Sequence, residues 1–350
     1  MALTLQATTD FVQAAYDLRA WPALRPELYF DDFADVESTD ESIKGKSVTF
    51  TIVNDLAAQT TALTDGTDVT PIAMSDSQIV LTLAEYGAAL VTSAKMRGTT
   101  FIDIDPVTAN LMGFNAGLSV NAIARAGLDV GTNVMYASGS GATTLQSAIT
   151  TRIGVLSSST IASVDIRSAR ARLASMNSQR FGNLYTGFLH PDITSDMMGE
   201  TIGSSQVQGW TAAQVYSDPM NIKNGELGSY LGFRWIETPT APVYQGAGAA
   251  GGNVYGTFLA GRQALAKAYS KAPGFGPNPH VFPGPVTDYL RRLQPTSWYH
   301  LVQYAPFRNA SLIRIESSSA LTGDISTTFG TGTTYNPAVD LGEQVGPPII

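Results

Sequence analysis

Residues 44–94 constrain the fold more than any other stretch of the chain. Ser47-Val48-Thr49-Phe50-Thr51-Ile52-Val53 alternates polar and apolar positions, and Ile79-Val80-Leu81-Thr82-Leu83 follows suit after a polar span holding the turn signal Asp65-Gly66. The pattern predicts a long β-hairpin. A two-stranded ribbon is marginal by itself in water, because no second layer covers its apolar face. Val48, Phe50 and Ile52 on one strand and Ile79, Leu81 and Leu83 on the other therefore need a surface. If the ribbon projects, that surface belongs to another copy of the protein. These six residues, with Asp65 and Gly66 at the tip, are the predicted inter-subunit contacts, and they point to assembly before catalysis.

Composition supports this direction. Only 14% of the 350 residues are charged, against roughly 25% in ordinary soluble domains, as expected for a chain that covers much of its surface with partners. The net charge of −8 weighs against binding nucleic acid through phosphate neutralisation as the main task. Nine acidic and two basic residues in 1–42 carry −7 of that charge, so the opening segment reads as an acidic arm. The absence of cysteine removes disulfides and thiolate zinc sites. The first residues lack a basic stretch followed by an apolar run, so no secretory leader is expected. No apolar run approaches the length of a membrane helix.

Asp105-Pro106 predicts a helix start. Val107, Leu111, Phe114, Leu118 and Ala122 trace an apolar face over about 105–127, with Gly127 as the stop. Residues 106–124 carry no charge. A short helix around 11–19 is expected before the Pro22 and Pro26 breaks, and a second long helix from Ser163 to about Arg180. Strands are expected at 184–189, 233–237, 254–260 and within 298–316, with a Pro/Gly-rich loop over 273–285.

Motifs for chemistry are few. His190, His280 and His300 are far apart and have no metal-ligand spacing. His190-Pro191-Asp192 could supply a base and an orienting carboxylate, but it reads better as a strand-to-helix corner. Gly246-Ala247-Gly248-Ala249-Ala250-Gly251 matches a dinucleotide-loop pattern, yet a β-like segment follows it instead of a helix. Neither a nucleophile elbow nor a phosphate loop occurs. No catalytic, cofactor or metal residue is expected, and no cofactor. Arg167, Arg170 and Arg172 lie on a predicted helix without forming one phosphate clamp; a solvated face or an acidic partner accounts for them.

Several segments resemble the major capsid proteins of tailed bacteriophages, the HK97 fold, and in particular its N4-like branch. Lys44-Gly45-Lys46-Ser47-Val48-Thr49-Phe50 is similar to the family's entry into an extended loop, and Leu83-Ala84-Glu85-Tyr86-Gly87 to its exit. Asp105-Pro106-Val107 resembles the start of the spine helix, Gly187-Phe188-Leu189-His190-Pro191-Asp192 an axial-domain corner, and Arg314-Ile315-Glu316 a closing strand. The most specific likeness is Gly225-Glu226-Leu227-Gly228-Ser229-Tyr230-Leu231-Gly232-Phe233-Arg234-Trp235-Ile236-Glu237-Thr238. The resemblance implies an α+β chain: arm 1–43, extended hairpin loop 44–94, peripheral domain 95–150 with the spine helix, axial domain 151–272, return to the peripheral domain 273–317, and tail 318–350.

It also implies a non-enzymatic subunit that self-assembles as hexamers and pentamers of an icosahedral shell around double-stranded DNA, in the host cytoplasm and then the virion. The DNA would be contacted weakly and non-specifically, without any membrane. Some relatives cross-link through a lysine in the extended loop; no Lys or Arg lies between Ser47 and Ala94, so non-covalent contacts are expected here. About forty residues before the hairpin leave little room for a fused scaffold, so scaffolding, decoration and portal proteins are expected as separate chains. Two rival readings are an encapsulin-like cargo shell and a soluble α/β enzyme working at His190 and Asp192.

Overall fold

The computed structural model describes residues 29–322 except 32, 39–45, 55, 63–64, 67, 70, 101–103, 146–148, 203–204, 207–210, 213–225, 272–275, 285–287 and 291. The short helix expected around 11–19 and most of the tail lie outside the described residues. In chain order, β1 (Asp35–Ser38) precedes the ribbon β2 (Ser47–Val53) and β3 (Asp76–Thr82); β4 (Ala84–Ser93) and α1 (Ala94–Thr99) lead into α2 (Ile104–Asp129). After β5 (Val134–Tyr136) come α3 (Ser163–Ser175), β6 (Tyr185–Leu189) and α4 (Pro191–Gly199). The strands β7 (Thr201–Ile202), β8 (Ser205–Gln206) and β9 (Thr211–Ala212) are two residues each. Then follow β10 (Glu226–Tyr230), β11 (Phe233–Glu237), β12 (Val243–Tyr244), β13 (Val254–Ala260), β14 (Leu265–Tyr269), β15 (His280–Pro283), β16 (Leu293–Pro306) and β17 (Leu312–Ser317).

The chain divides into two compact units. One contains Gly87–Ala116 and His280–Tyr299; the other contains Pro26–Tyr86, Gly117–Pro279 and His300–Ile350. In the first, β15 pairs antiparallel with the start of β16. The Thr92 hydroxyl donates to the Gln294 carbonyl, and Trp298 Nε1 donates to Asn115 Oδ1 at 2.8 Å. The expected loop over 273–285 thus contains a strand, because Pro283 at its end costs no interior ladder bond.

The second unit is a layered α/β body around a mixed sheet ordered β5-β17-β13-β6-β11-β10-β9, with β12 on β13. β6 and β11 run parallel, while β13 runs antiparallel to β6 and β17. Side chains alternate along these strands, so each strand feeds two cores. Tyr185, Phe233 and Trp235 join Ile166, Ala169 and Leu173 of α3 and Ile193 and Met197 of α4. Phe188, Ile236 and Phe258 meet Val120, Ala124 and Leu128 of α2, and Leu265 and Val302. Gly187 sits under the Trp235 ring, where a Cβ would lie 2.6 Å from two ring carbons.

Three sequence expectations change. The buried residues of α2 are Ile104, Thr108, Met112 and Ala116 in one unit and Leu118, Val120, Asn121, Ala124, Gly127 and Leu128 in the other; of the expected face Leu118 is buried, whereas Val107 is 39% and Leu111 49% exposed. A charge-free helix has more than one apolar stripe, and periodicity alone could not choose among them. Gly127 does not end the helix. A Cβ there would stand 2.8 Å from Cβ of Tyr304, so this glycine permits close packing in place of capping. Finally, α3 stops at Ser175 instead of near 180: Met176 is its C-cap and Asn177 takes φ 58°, the left-handed turn that asparagine tolerates.

Candidate assembly surface

The ribbon pairs in the register Val48↔Leu81 and Phe50↔Ile79, which sets the predicted apolar residues on one face. That face does have a surface within its own chain. Val48, Phe50, Leu81 and Leu83 are buried against Ala266 and Ala268 of β14, with Ile79, Leu301, Ala305 and Phe307 packed alongside. The Phe50 and Phe307 rings lie 5.3 Å apart, tilted by 55°. The expectation that a neighbour must cover these residues is therefore corrected: β14 and β16 form a second layer under the ribbon's base, and no local pattern in 44–94 could reveal it.

Support ends at Ile52, which is half-buried, while Val53 is exposed. The last cross-strand bonds run from Asn54 N to the Ser75 carbonyl and from Asn54 Nδ2 to Ser75 Oγ. Beyond them Leu56, Val69, Ile72 and Met74 are at least half exposed. Asp65 and Gly66 are exposed in a turn, with Gly66 at φ 77°. Separately, in the other compact unit, Val91, Met96, Val107 and Leu111 are exposed.

Within the expected arm 1–43, Tyr29, Phe30 and Asp31 form an anchor. Phe30 is fully buried, 5.0 Å from the Phe188 ring. The amides of Tyr29 and Phe30 both donate to Asn121 Oδ1, at 3.1 and 3.0 Å. Lys267 Nζ donates to Asp31 Oδ1 at 2.6 Å. From here β1 runs parallel beside β14. The readable signal was Asn121, a polar residue among apolar neighbours on α2, which needs buried partners.

A second fastening gathers charges at one corner of the sheet. Arg314 bonds Glu316 and Asp129, and Arg152 grips Glu316 through two hydrogen bonds while lying 3.5 Å over the Tyr244 ring. Tyr244 Oη donates to Asp129. Burial and the Asp129 carboxylate push the Tyr244 phenol well above its ordinary range. The Arg314-Ile315-Glu316 segment thus ties the end of α2 to the sheet.

His190 and Asp192 come together, but in a closed corner. His190 caps α4, its Nδ1 accepting from the Asp192 amide at 3.2 Å. Asp192 Oδ2 accepts from Tyr255 Oη at 2.7 Å. The imidazole is 1% exposed, and burial pushes its pKa down to about 4. Burial also raises Asp192. The imidazole therefore works as a neutral helix cap, and a base sealed in this way cannot reach a substrate. Gly246–Gly251 leads into β13, and Gly248, Gly251 and Gly252 close it with backbone bonds. Among the described residues no group of acidic, histidine or cysteine side chains forms a metal site.

The chain belongs to the phage capsid protein family, whose pattern it matches over residues 34–320. No curated protein matches the sequence. Its fold is similar to the capsid of Ralstonia phage GP4, with TM-score 0.69 at 14% identity, covering 88% of this chain and 95% of that one. The capsid of cyanophage P-SCSP1u aligns with TM-score 0.60 at 13% identity over 89% of this chain and 94% of the other. The head structure of Helicobacter pylori bacteriophage KHP40 gives 0.58 at 10% identity, with 91% and 98% covered. The fold is accordingly the HK97-like α+β capsid fold, and the protein is a major capsid protein of the tailed-phage type.

Proposed function

We propose that this chain assembles, as hexamers and pentamers, into the icosahedral shell that encloses the double-stranded DNA of a tailed phage, and that it belongs to the N4-like branch. The observation that carries the assembly reading is the ribbon itself. Its base is packed into its own chain, while the span from Val53 to Ser75 presents exposed apolar side chains. A ribbon anchored at one end and uncovered at the other suits a heterologous contact, in which unlike surfaces of successive copies meet and a ring closes. The parts we assign are arm 1–43, extended loop 44–94, peripheral segments 95–150 and 273–317, axial domain 151–272 and tail 318–350. Segment 225–238, which resembles the N4-like branch most specifically, supports the finer placement.

In this reading the protein has no catalytic task. Scaffolding, decoration and portal proteins join as separate chains, and assembly takes place in the host cytoplasm. The net charge of −8 favours weak, non-specific contact with packaged DNA. Negative-stain microscopy of the expressed protein tests the proposal. Closed shells or ring-shaped capsomers are expected. Monodisperse 37.0 kDa subunits at high protein concentration would overturn it.

A further inference from the structure

We infer that the exposed face of α3 receives the ribbon of a second copy, arginine to carboxylate. This rests on the shell reading above and specifies where one of its contacts falls. Ile166, Ala169 and Leu173 turn one face of α3 into the core. The rest of the helix presents Arg167, Arg170, Ala171, Arg172 and Ala174, all exposed. Arg170 lies over the turn between β10 and β11, its Nε 2.7 Å from where a Cβ on Gly232 would stand.

None of these three arginines forms an ion pair with a described residue, although Arg97, Arg152, Arg234, Lys267, Arg292 and Arg314 all do. Arg172, in the last turn, complements the negative end of the helix dipole. Arg167 and Arg170 have no such reason, and like charges one turn apart repel.

The ribbon carries the opposite imbalance. No cation occurs from Ser47 to Ala94, and Asp65, Asp68, Asp76 and Glu85 are exposed and outside any ion pair with a described residue. Among the described residues, one chain thus bears two surfaces of opposite sign whose charges form no ion pair. Surfaces that complement each other from different places on a molecule join copies head to tail, and opposite potentials set their register. Apolar groups agree: Met176 and Phe181 are exposed just past α3, and Val69, Ile72 and Met74 on the ribbon. Ala171 and Ala174 leave room for close approach. DNA phosphate is the weaker occupant, because the chain is net acidic and its arginines spread around the helix without converging.

The test compares R167E/R170E/R172E, D65K/D68K/D76K and the two sets combined. Assembly is read by light scattering and microscopy at low and high salt, with urea midpoints of unassembled subunits checking the fold. Each set alone is expected to lower shell yield at least tenfold, and the combination to restore most of it. R167Q/R170Q/R172Q, the milder set, should weaken assembly and flatten its salt dependence even if the reversal disturbs folding. Wild-type yield from either reversed set, or a combination no better than the worse single set, overturns the pairing while leaving the shell reading intact. Loss of DNA retention with normal shell yield also overturns it, in favour of phosphate. If the unaltered chain forms no shells, the shell reading falls and the pairing with it.

Discussion

Burial holds the His190 imidazole neutral, with its pKa pushed down from 6.5 to about 4. The depressed value means that the unfolded chain takes up the proton first, so this contribution to stability is complete above about pH 6.5 and is lost as pH falls toward 4. Between pH 7.5 and pH 5 the loss is about 2 kcal/mol. Asp165, Asp192 and Asp196 act in the opposite sense, since burial raises all three and the folded chain binds their protons first. Urea midpoints of wild type and His190→Asn, taken at both pH values, separate the effects. The variant should lose less stability on acidification, and equal losses would show that His190 is not the group responsible. Gly187 gives a second test at this scale. Gly187→Ala drives a methyl into the Trp235 ring and should cost about 1–3 kcal/mol in denaturant unfolding.

At the scale of elements, the ribbon has two ends with different physics. Phe50→Ala opens a hole against Phe307 and β14 and should destabilise the isolated subunit by about 3 kcal/mol. Ile72→Asp on the uncovered end should move the unfolding midpoint by no more than about 0.5 kcal/mol yet suppress assembly. If Ile72→Asp assembled normally, the outer ribbon would not be a contact. Asn121→Ala removes the acceptor for the amides of Tyr29 and Phe30. It should cost about 1–3 kcal/mol and speed hydrogen exchange in 29–38 before the rest of the sheet.

Much of this element-level detail was legible before the fold. Ser47–Val53, Phe233–Glu237 and Val254–Ala260 are strands at the expected bounds, because alternation or a short apolar run flanked by turn residues leaves few options. The corner at His190 was equally clear, since Pro at the first helical position stops a strand and starts a helix. What failed were choices between equivalent local solutions. On α2 two stripes are apolar, and only long-range packing, such as that of Phe188, Phe258 and Tyr304 on Val120, Ala124 and Leu128, decides which is covered.

For the whole molecule, family and fold place the chain among phage capsid proteins. The amino-acid sequence by itself determined the order of elements, the long cation-free ribbon and the uncharged helix, because those depend on side chains within a few residues of one another. It could not say whether the ribbon's apolar face is covered by the same chain. Ala266, Ala268, Leu301 and Phe307 lie more than 180 positions beyond Leu81, and β14 and β16 bring them beneath it. Only the tertiary structure decided that the ribbon's base packs on its own chain while Val53, Leu56, Val69, Ile72 and Met74 stay exposed. Burial is a property of what long-range packing brings together, and no local pattern contains it.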